Sequence, residues 1–141
     1  MKTVLQVALD LVHGDRALKI AADAVRGGAE WIEAGTPLIK SEGMEIVRSL
    51  KKAFPSHTIV ADMKTIDVGG TEVEIAAKSG ADVVVILGVS SDPTITEAIL
   101  SARQYGSKVM VDLFNVDDKI RRAKAVEKMG ADYLCVHVGV D

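Results

Sequence analysis

Residues 61–67 read Ala-Asp-Met-Lys-Thr-Ile-Asp and set a lysine between two acids at the end of an apolar run. Asp62 and Lys64 are two apart, so on a strand both side chains point to one face. A carboxylate and an ammonium side by side are costly to bury and unnecessary for folding, so this face points to a site that handles charge. Asp67 falls three residues further on, past the expected strand end. It would sit on a loop, free to reach another partner or another subunit.

The elements that must position these residues are legible as short Val, Ile and Leu runs alternating with longer segments of helical period, the pattern of parallel βα units. Strands are predicted near 4–10, 31–34, 58–63, 83–87, 108–113 and 133–137, and helices near 15–26, 42–54, 70–78, 93–105 and 117–128. The run Val83-Val84-Val85-Ile86-Leu87 is apolar on both faces, as a helix-covered central strand requires. Gly28-Ala29-Glu30, Gly80-Ala81-Asp82 and Gly130-Ala131-Asp132 form an internal echo, each closing a helix before an apolar strand. Asp10, Glu33, Asp62 with Lys64, Asp112 and His137 all fall at carboxyl ends of predicted strands. In an open sheet those ends form a line, whereas in a barrel they converge on one mouth, so the set favours a TIM barrel. The first βα turn has only Gly14 and no G-x-G-x-x-G, which argues against a dinucleotide site.

The chain has 141 residues, 48% hydrophobic and 26% charged, with a net charge of -3. One domain over 1–141 is expected, with no basic footprint for nucleic acid or anionic membrane, so partners are small molecules or other proteins. Cys135 is the only cysteine, which excludes an intrachain disulfide and fits a reducing compartment. The opening apolar run is interrupted by Gln6 and Asp10, too polar for a signal peptide or membrane span, so the cytoplasm is expected.

Ala8-Leu9-Asp10, the run Glu33 to Lys40 (EAGTPLIK) with Glu42-Gly43, residues 61–67, and Val136-His137-Val138-Gly139-Val140-Asp141 resemble the orotidine 5'-monophosphate decarboxylase superfamily. The D-x-K-x-x-D pattern carries the superfamily. The E-A-G-T-P-L-I-K segment points to the branch shared by the 3-hexulose-6-phosphate synthases and the 3-keto-L-gulonate-6-phosphate decarboxylases. Val138 to Val140 stand where the decarboxylases typically carry an arginine, which favours the synthases. The resemblance implies an aldol condensation of formaldehyde with D-ribulose 5-phosphate, giving D-arabino-hex-3-ulose 6-phosphate through a metal-stabilised enediolate. Glu33 and Asp62, ending adjacent strands, would hold Mg2+, with Mn2+ as a substitute. His137 would be the acid/base, Lys64 would hold developing oxyanions beside Asp62 and Asp112, and Asp10 would hydrogen-bond substrate hydroxyls. Asp67 would be delivered to the neighbouring subunit's site, making the active unit a homodimer.

Each residue also has a plainer reading. Asp10 could cap a turn, Glu33 could face solvent on an edge strand, Asp62 and Lys64 could be a structural ion pair, and His137 a satisfied core residue. His13, His57, Lys51-Lys52 and Arg121-Arg122 read as surface groups, and Trp31 and Cys135 as packing. A (βα)8 barrel at this unit length needs on the order of 200 residues or more. The expectation is therefore about six βα units, with strands seven and eight and their phosphate-gripping loops absent. Two further readings follow: a non-catalytic truncated fragment or assembly module, and a barrel completed by another chain.

Overall fold

Residues 3–139 are described by the computed structural model, so Val140 and Asp141 of the last quoted motif lie outside it. In chain order the elements are β1 (Gln6–Leu9), α1 (Gly14–Arg26), β2 (Trp31–Ala34), α2 (Thr36–Glu42), α3 (Glu45–Ala53) and β3 (Thr58–Thr65). They continue as α4 (Gly69–Lys78), β4 (Val83–Leu87), α5 (Asp92–Tyr105), β5 (Lys108–Asp112), α6 (Lys119–Met129) and β6 (Tyr133–Cys135). The strands pair in parallel in the order β1-β2-β3-β4-β5-β6, each beside its neighbour in sequence. Among the described residues no helix is long and apolar enough to cross a membrane.

Strand periodicity divides the apolar side chains into two cores. Leu9, Ile32, Ile59, Val84, Ile86, Val109 and Val111 point outward and pack under the helices with Leu38, Leu50, Val73 and Ile95. The alternate positions Val60, Val83, Val85 and Met110 form a second cluster with Trp31, Tyr133 and Cys135. Trp31 on β2 and Tyr133 on β6 meet edge to face with centroids 5.2 Å apart, although three strands lie between them. That contact requires the sheet to curl, so the second cluster lines a concave inner face and the fold is a half-barrel. Trp31 is packing, as expected, but in the inner layer.

The echoed tripeptides have a shared role. Gly28, Gly80 and Gly130 have φ of +100°, +101° and +100°, left-handed backbone that suits glycine at a helix stop. In the second and third of them the acid two residues on ties down a neighbouring strand at its amino end. Asp82 accepts from the Ile59 amide at 2.7 Å, and Asp132 accepts from the Val109 amide at 2.9 Å. These contacts occupy the end of the sheet away from the charged strand ends, the end that serves stability in barrels.

Three expectations are corrected. The helix predicted at 42–54 is α3 alone, and it is preceded by a separate helix that was not expected: α2 begins at Thr36 with Pro37 in its first turn, where a missing N–H costs nothing, and stops at Gly43, at φ +65°. Lys51 is not merely a solvated face, because its ammonium bonds the Asp82 carboxylate at 2.8 Å. Arg122 reaches the β4–α5 connection, donating from Nε to the Gly88 carbonyl and from a terminal nitrogen to the Ser90 carbonyl, both at 2.6 Å, and pairing with Asp92. Replacing it leaves carbonyls without their donor, so Arg122→Ala should cost about 1–3 kcal/mol, read as a lower urea midpoint at unchanged slope.

Candidate active site

The carboxyl ends of the strands carry the charge. A cavity of about 500 Å³ opens there, lined among others by Asp10, Glu33, Asp62, Lys64, Asp112 and His137. That volume lies within the range usual for small-molecule sites. All the expected site residues except Asp67 therefore meet in one place. The same lining includes four carboxyl groups against one ammonium, which leaves the cavity rich in acid.

Lys64 owes its place to an irregularity in β3. The ladder with β4 runs regularly to Asp62 opposite Val85, then resumes with Thr65 opposite Ile86, so Met63 and Lys64 have no partner across the strand. Lys64 has φ +46°, a left-handed conformation that costs a non-glycine residue energy and is kept only where its surroundings demand it. Thr65, just past the distortion, is anchored twice: its carbonyl accepts from the buried Ser90 hydroxyl at 3.0 Å, and its own hydroxyl bonds Glu72. The two-residue spacing does put Asp62 and Lys64 on one face, but through a bulge and not a regular strand.

A continuous network results. The Lys64 ammonium lies 2.7 Å from Asp62 Oδ2 and 3.4 Å from Asp112 Oδ2. Asp112 Oδ2 also bonds His137 Nδ1 at 2.8 Å, and Asp112 Oδ1 accepts from the Phe114 amide at 2.9 Å. Asp112 is 1% exposed and Asp62 5%. Burial works against the Lys64 charge, but the hydrogen bonds and charges of Asp62 and Asp112 outweigh it and raise the ammonium's pKa, so Lys64 stays protonated. With Nδ1 engaged by the carboxylate, Nε2 is the ring nitrogen left for a substrate. The Phe114 ring lies beside His137, centroids 4.9 Å apart at 33°, and limits its rotation.

Glu33 faces the concave side beside Gln6, whose amide bonds it. Burial, reinforced by the Asp62 and Asp10 charges and opposed by the Gln6 hydrogen bond and Lys64, pushes its pKa up from 4.5 to about 7. Asp62 Oδ1 is buried and has no hydrogen-bond partner among the described protein groups. An orphaned carboxylate oxygen within electrostatic reach of a second carboxyl group is a donor set that would suit a cation. Magnesium is commonly held by one or two carboxylates completed by water and substrate, so Glu33 and Asp62 fit it. Among the described residues no group of three or more His, Cys, Asp or Glu side chains is placed to hold a metal ion, so the rest of such an ion's shell would have to come from water and substrate.

Asp10 is exposed at the cavity rim, and Gly35 makes room for it: a Cβ on Gly35 would collide with Asp10 Oδ1. Asp67 stands apart, exposed on the β3–α4 connection, its Oδ1 accepting from the Val68 amide at 2.8 Å. Val68 itself is left-handed at φ +48° and 58% exposed, and Ile66 is 55% exposed, so Asp67 is flanked by uncovered apolar groups. Cys135 lines the cavity, but burial and the surrounding carboxylates push its thiol up to about 11, which keeps it inert as a nucleophile. Gln6, Gly35, Thr36 and Phe114 were not singled out from the sequence. Gln6 alone left a signal, as a polar residue sharing the strand parity of Asp10.

A curled parallel sheet with polar groups gathered at its carboxyl ends defines a site of the TIM-barrel kind. The chain belongs to the orotidine 5'-phosphate decarboxylase / HUMPS family, which matches residues 3–141. It is 40% identical over 97% of its length to a 3-hexulose-6-phosphate synthase of Bacillus subtilis (strain 168), covering 65% of that protein. The chain thus spans just under two thirds of that relative's length. A crystal structure of a 3-hexulose-6-phosphate synthase superposes with a TM-score of 0.96 at 42% identity, covering 99% of this chain and 67% of that one. A 3-keto-L-gulonate-6-phosphate decarboxylase from Vibrio cholerae O1 biovar El Tor superposes at 0.90 with 28% identity, covering 95% and 62%.

The raised pKa of Glu33 fixes the sign of a pH effect. Between about 4.5 and 7 the folded state holds a proton that the unfolded chain has released, so this group's stabilising contribution is complete below 4.5 and is lost as pH rises through 7. In metal-free protein, Glu33→Gln should therefore gain stability over the parent at pH 8, on the order of 2–3 kcal/mol, and show no such gain at pH 4. Urea unfolding at the two pH values measures it.

Proposed function

We propose that this chain forms the catalytic core of an enzyme that joins formaldehyde to D-ribulose 5-phosphate, the reaction of the synthases it is similar to. The observation that carries the reading is the unbroken chain from Asp62 through Lys64 and Asp112 to His137 inside an acid-rich cavity. In this scheme His137 Nε2 takes the proton from carbon 1 of the sugar phosphate while Asp112, bonded to Nδ1, stabilises the imidazolium. Negative charge then builds on the sugar oxygens, where the Lys64 ammonium lies ready to hold it. The carbanionic carbon 1 attacks formaldehyde, a carbon–carbon bond forms, and the new alkoxide recovers a proton from His137. Asp10 orients sugar hydroxyls from the rim. Glu33 and Asp62 would hold Mg2+, with Mn2+ able to replace it, and the ion supplies Lewis-acid stabilisation of anionic oxygen.

The active unit in this reading is a homodimer in which Asp67 completes the neighbouring subunit's cavity. The exposed Ile66 and Val68 on either side of Asp67 support a covered loop. The cytoplasm is the compartment that fits. Decarboxylation of 3-keto-L-gulonate 6-phosphate is the second reading, supported by the 28% identical structural neighbour, but Val138 and Gly139 offer no arginine beside His137. A non-catalytic assembly module is the reading from another class, and it predicts no turnover of either sugar phosphate.

Two experiments test this. His137→Gln in the full chain should lower formaldehyde consumption with ribulose 5-phosphate and Mg2+ by at least about 100-fold, and an Asp62→Ala variant that keeps parental activity at limiting Mg2+ removes the cation role of Asp62. Mixing inactive His137→Gln with inactive Asp67→Ala and allowing subunits to exchange should restore roughly a quarter of parental activity, because half the dimers then contain one intact shared site. No recovery on exchange places Asp67 in its own subunit's cavity.

A further inference from the structure

Thr36 opens α2 at the edge of the cavity, held there by the close fit of Gly35 against Asp10 and by Pro37 in the first turn. Its hydroxyl lies 2.8 Å from Asp62 Oδ2 and 2.9 Å from the main-chain carbonyl oxygen of the same residue. The single hydroxyl proton is thus shared, in a three-centre hydrogen bond, between an aspartate's side-chain oxygen and its own carbonyl, which ties the carboxylate's orientation to the backbone. Lys64 Nζ adds a second donor to the same oxygen at 2.7 Å. Both donors therefore fall on Oδ2, while the buried Oδ1 receives none. Lys64 alone would not maintain that difference, because an ammonium is a point charge that pairs with either carboxylate oxygen or with both.

We infer that Thr36 is a positioning residue that selects Asp62 Oδ1 as the oxygen offered to a divalent cation, by committing Oδ2 to itself and Lys64. Without the hydroxyl the carboxylate can turn both oxygens toward Lys64, which lowers the charge available to a cation. The ligand in this inference rests on the cation reading above, whereas the hydrogen-bond arrangement behind it does not. Such supporting hydrogen bonds to a ligating carboxylate commonly change metal affinity by about 10–100-fold.

The test uses the full chain with Mn2+ as probe, its free concentration read by electron paramagnetic resonance, and needs no turnover. Asp62→Asn identifies the binding that belongs to this site. Thr36→Val, which keeps the shape and removes the hydroxyl, should weaken that binding by about 10-fold or more, and Thr36→Ser should restore it to within about 3-fold of the parent. Thr36→Val with parental affinity, or Thr36→Ser as weak as Thr36→Val, overturns the inference. If the parent binds no Mn2+ that Asp62→Asn removes, the cation reading itself fails, and a crystal structure of Thr36→Val decides the positioning role. An Asp62 carboxylate turned away from its parental orientation supports that role, and an unmoved one overturns it.

Discussion

The site depends on one ammonium held between two buried carboxylates. Asp62 and Asp112 come from β3 and β5 and are almost fully shielded from water, and a buried anion without compensation is among the most costly features a fold can carry. Lys64 is the shared counter-charge, and it reaches both only because β3 leaves its ladder after Asp62. A regular strand would be cheaper locally. The bulge, the left-handed backbone at Lys64 and the anchoring of Thr65 by Ser90 and Glu72 together store the strain that the charge arrangement requires.

From that centre the electrostatics divide the cavity into two parts. On the Asp112 side the carboxylate faces His137 and the Phe114 amide, an environment suited to moving a proton through the free ring nitrogen. On the Asp62 side the acids outnumber their partners, since Glu33 is held near neutrality and Asp62 Oδ1 has no donor. In the proposed function the first part would serve proton transfer and the second a cation, with Lys64 between them. In the proposed reaction those are the needs of a sugar phosphate that loses a proton from carbon 1 while charge accumulates on adjacent oxygens.

Much of this was legible in the residues, and the rest was hidden for identifiable reasons. Parallel βα order followed from the apolar runs, and β2 and β4 occur at their predicted bounds; for β4 the reason is that a doubly buried strand leaves a continuous Val/Ile signal. The polar strand ends correctly pointed to a curled sheet. Helix α2 was missed because Thr36 to Lys40 reads as a motif, while the fact that matters is proline at a helix start and a glycine at its end. Lys64 was placed on the right face by two-residue spacing, but no sequence pattern announces the bulge that carries it. Thr36 and Gly35 were invisible as individuals, since their contributions are a shared hydroxyl proton that exists only once β2 pairs with β3 and an absent side chain that matters only once β1 pairs with β2. Arg122 looked like one of two adjacent solvated arginines, and only the close passage of the β4–α5 connection distinguishes it.

The chain's membership of the orotidine 5'-phosphate decarboxylase / HUMPS family agrees with the half-barrel and its loaded strand ends, but the chemistry rests on whether His137 removes a proton from the sugar. Exchange of the carbon 1 hydrogen of D-ribulose 5-phosphate with deuterium oxide, followed by proton NMR with Mg2+ and no formaldehyde, isolates that step from bond formation. The parent chain should exchange one carbon 1 hydrogen stereospecifically, and His137→Gln should not. Exchange that persists unchanged in His137→Gln, or none in a parent that still consumes formaldehyde with the sugar, would contradict the assignment of His137 as the base.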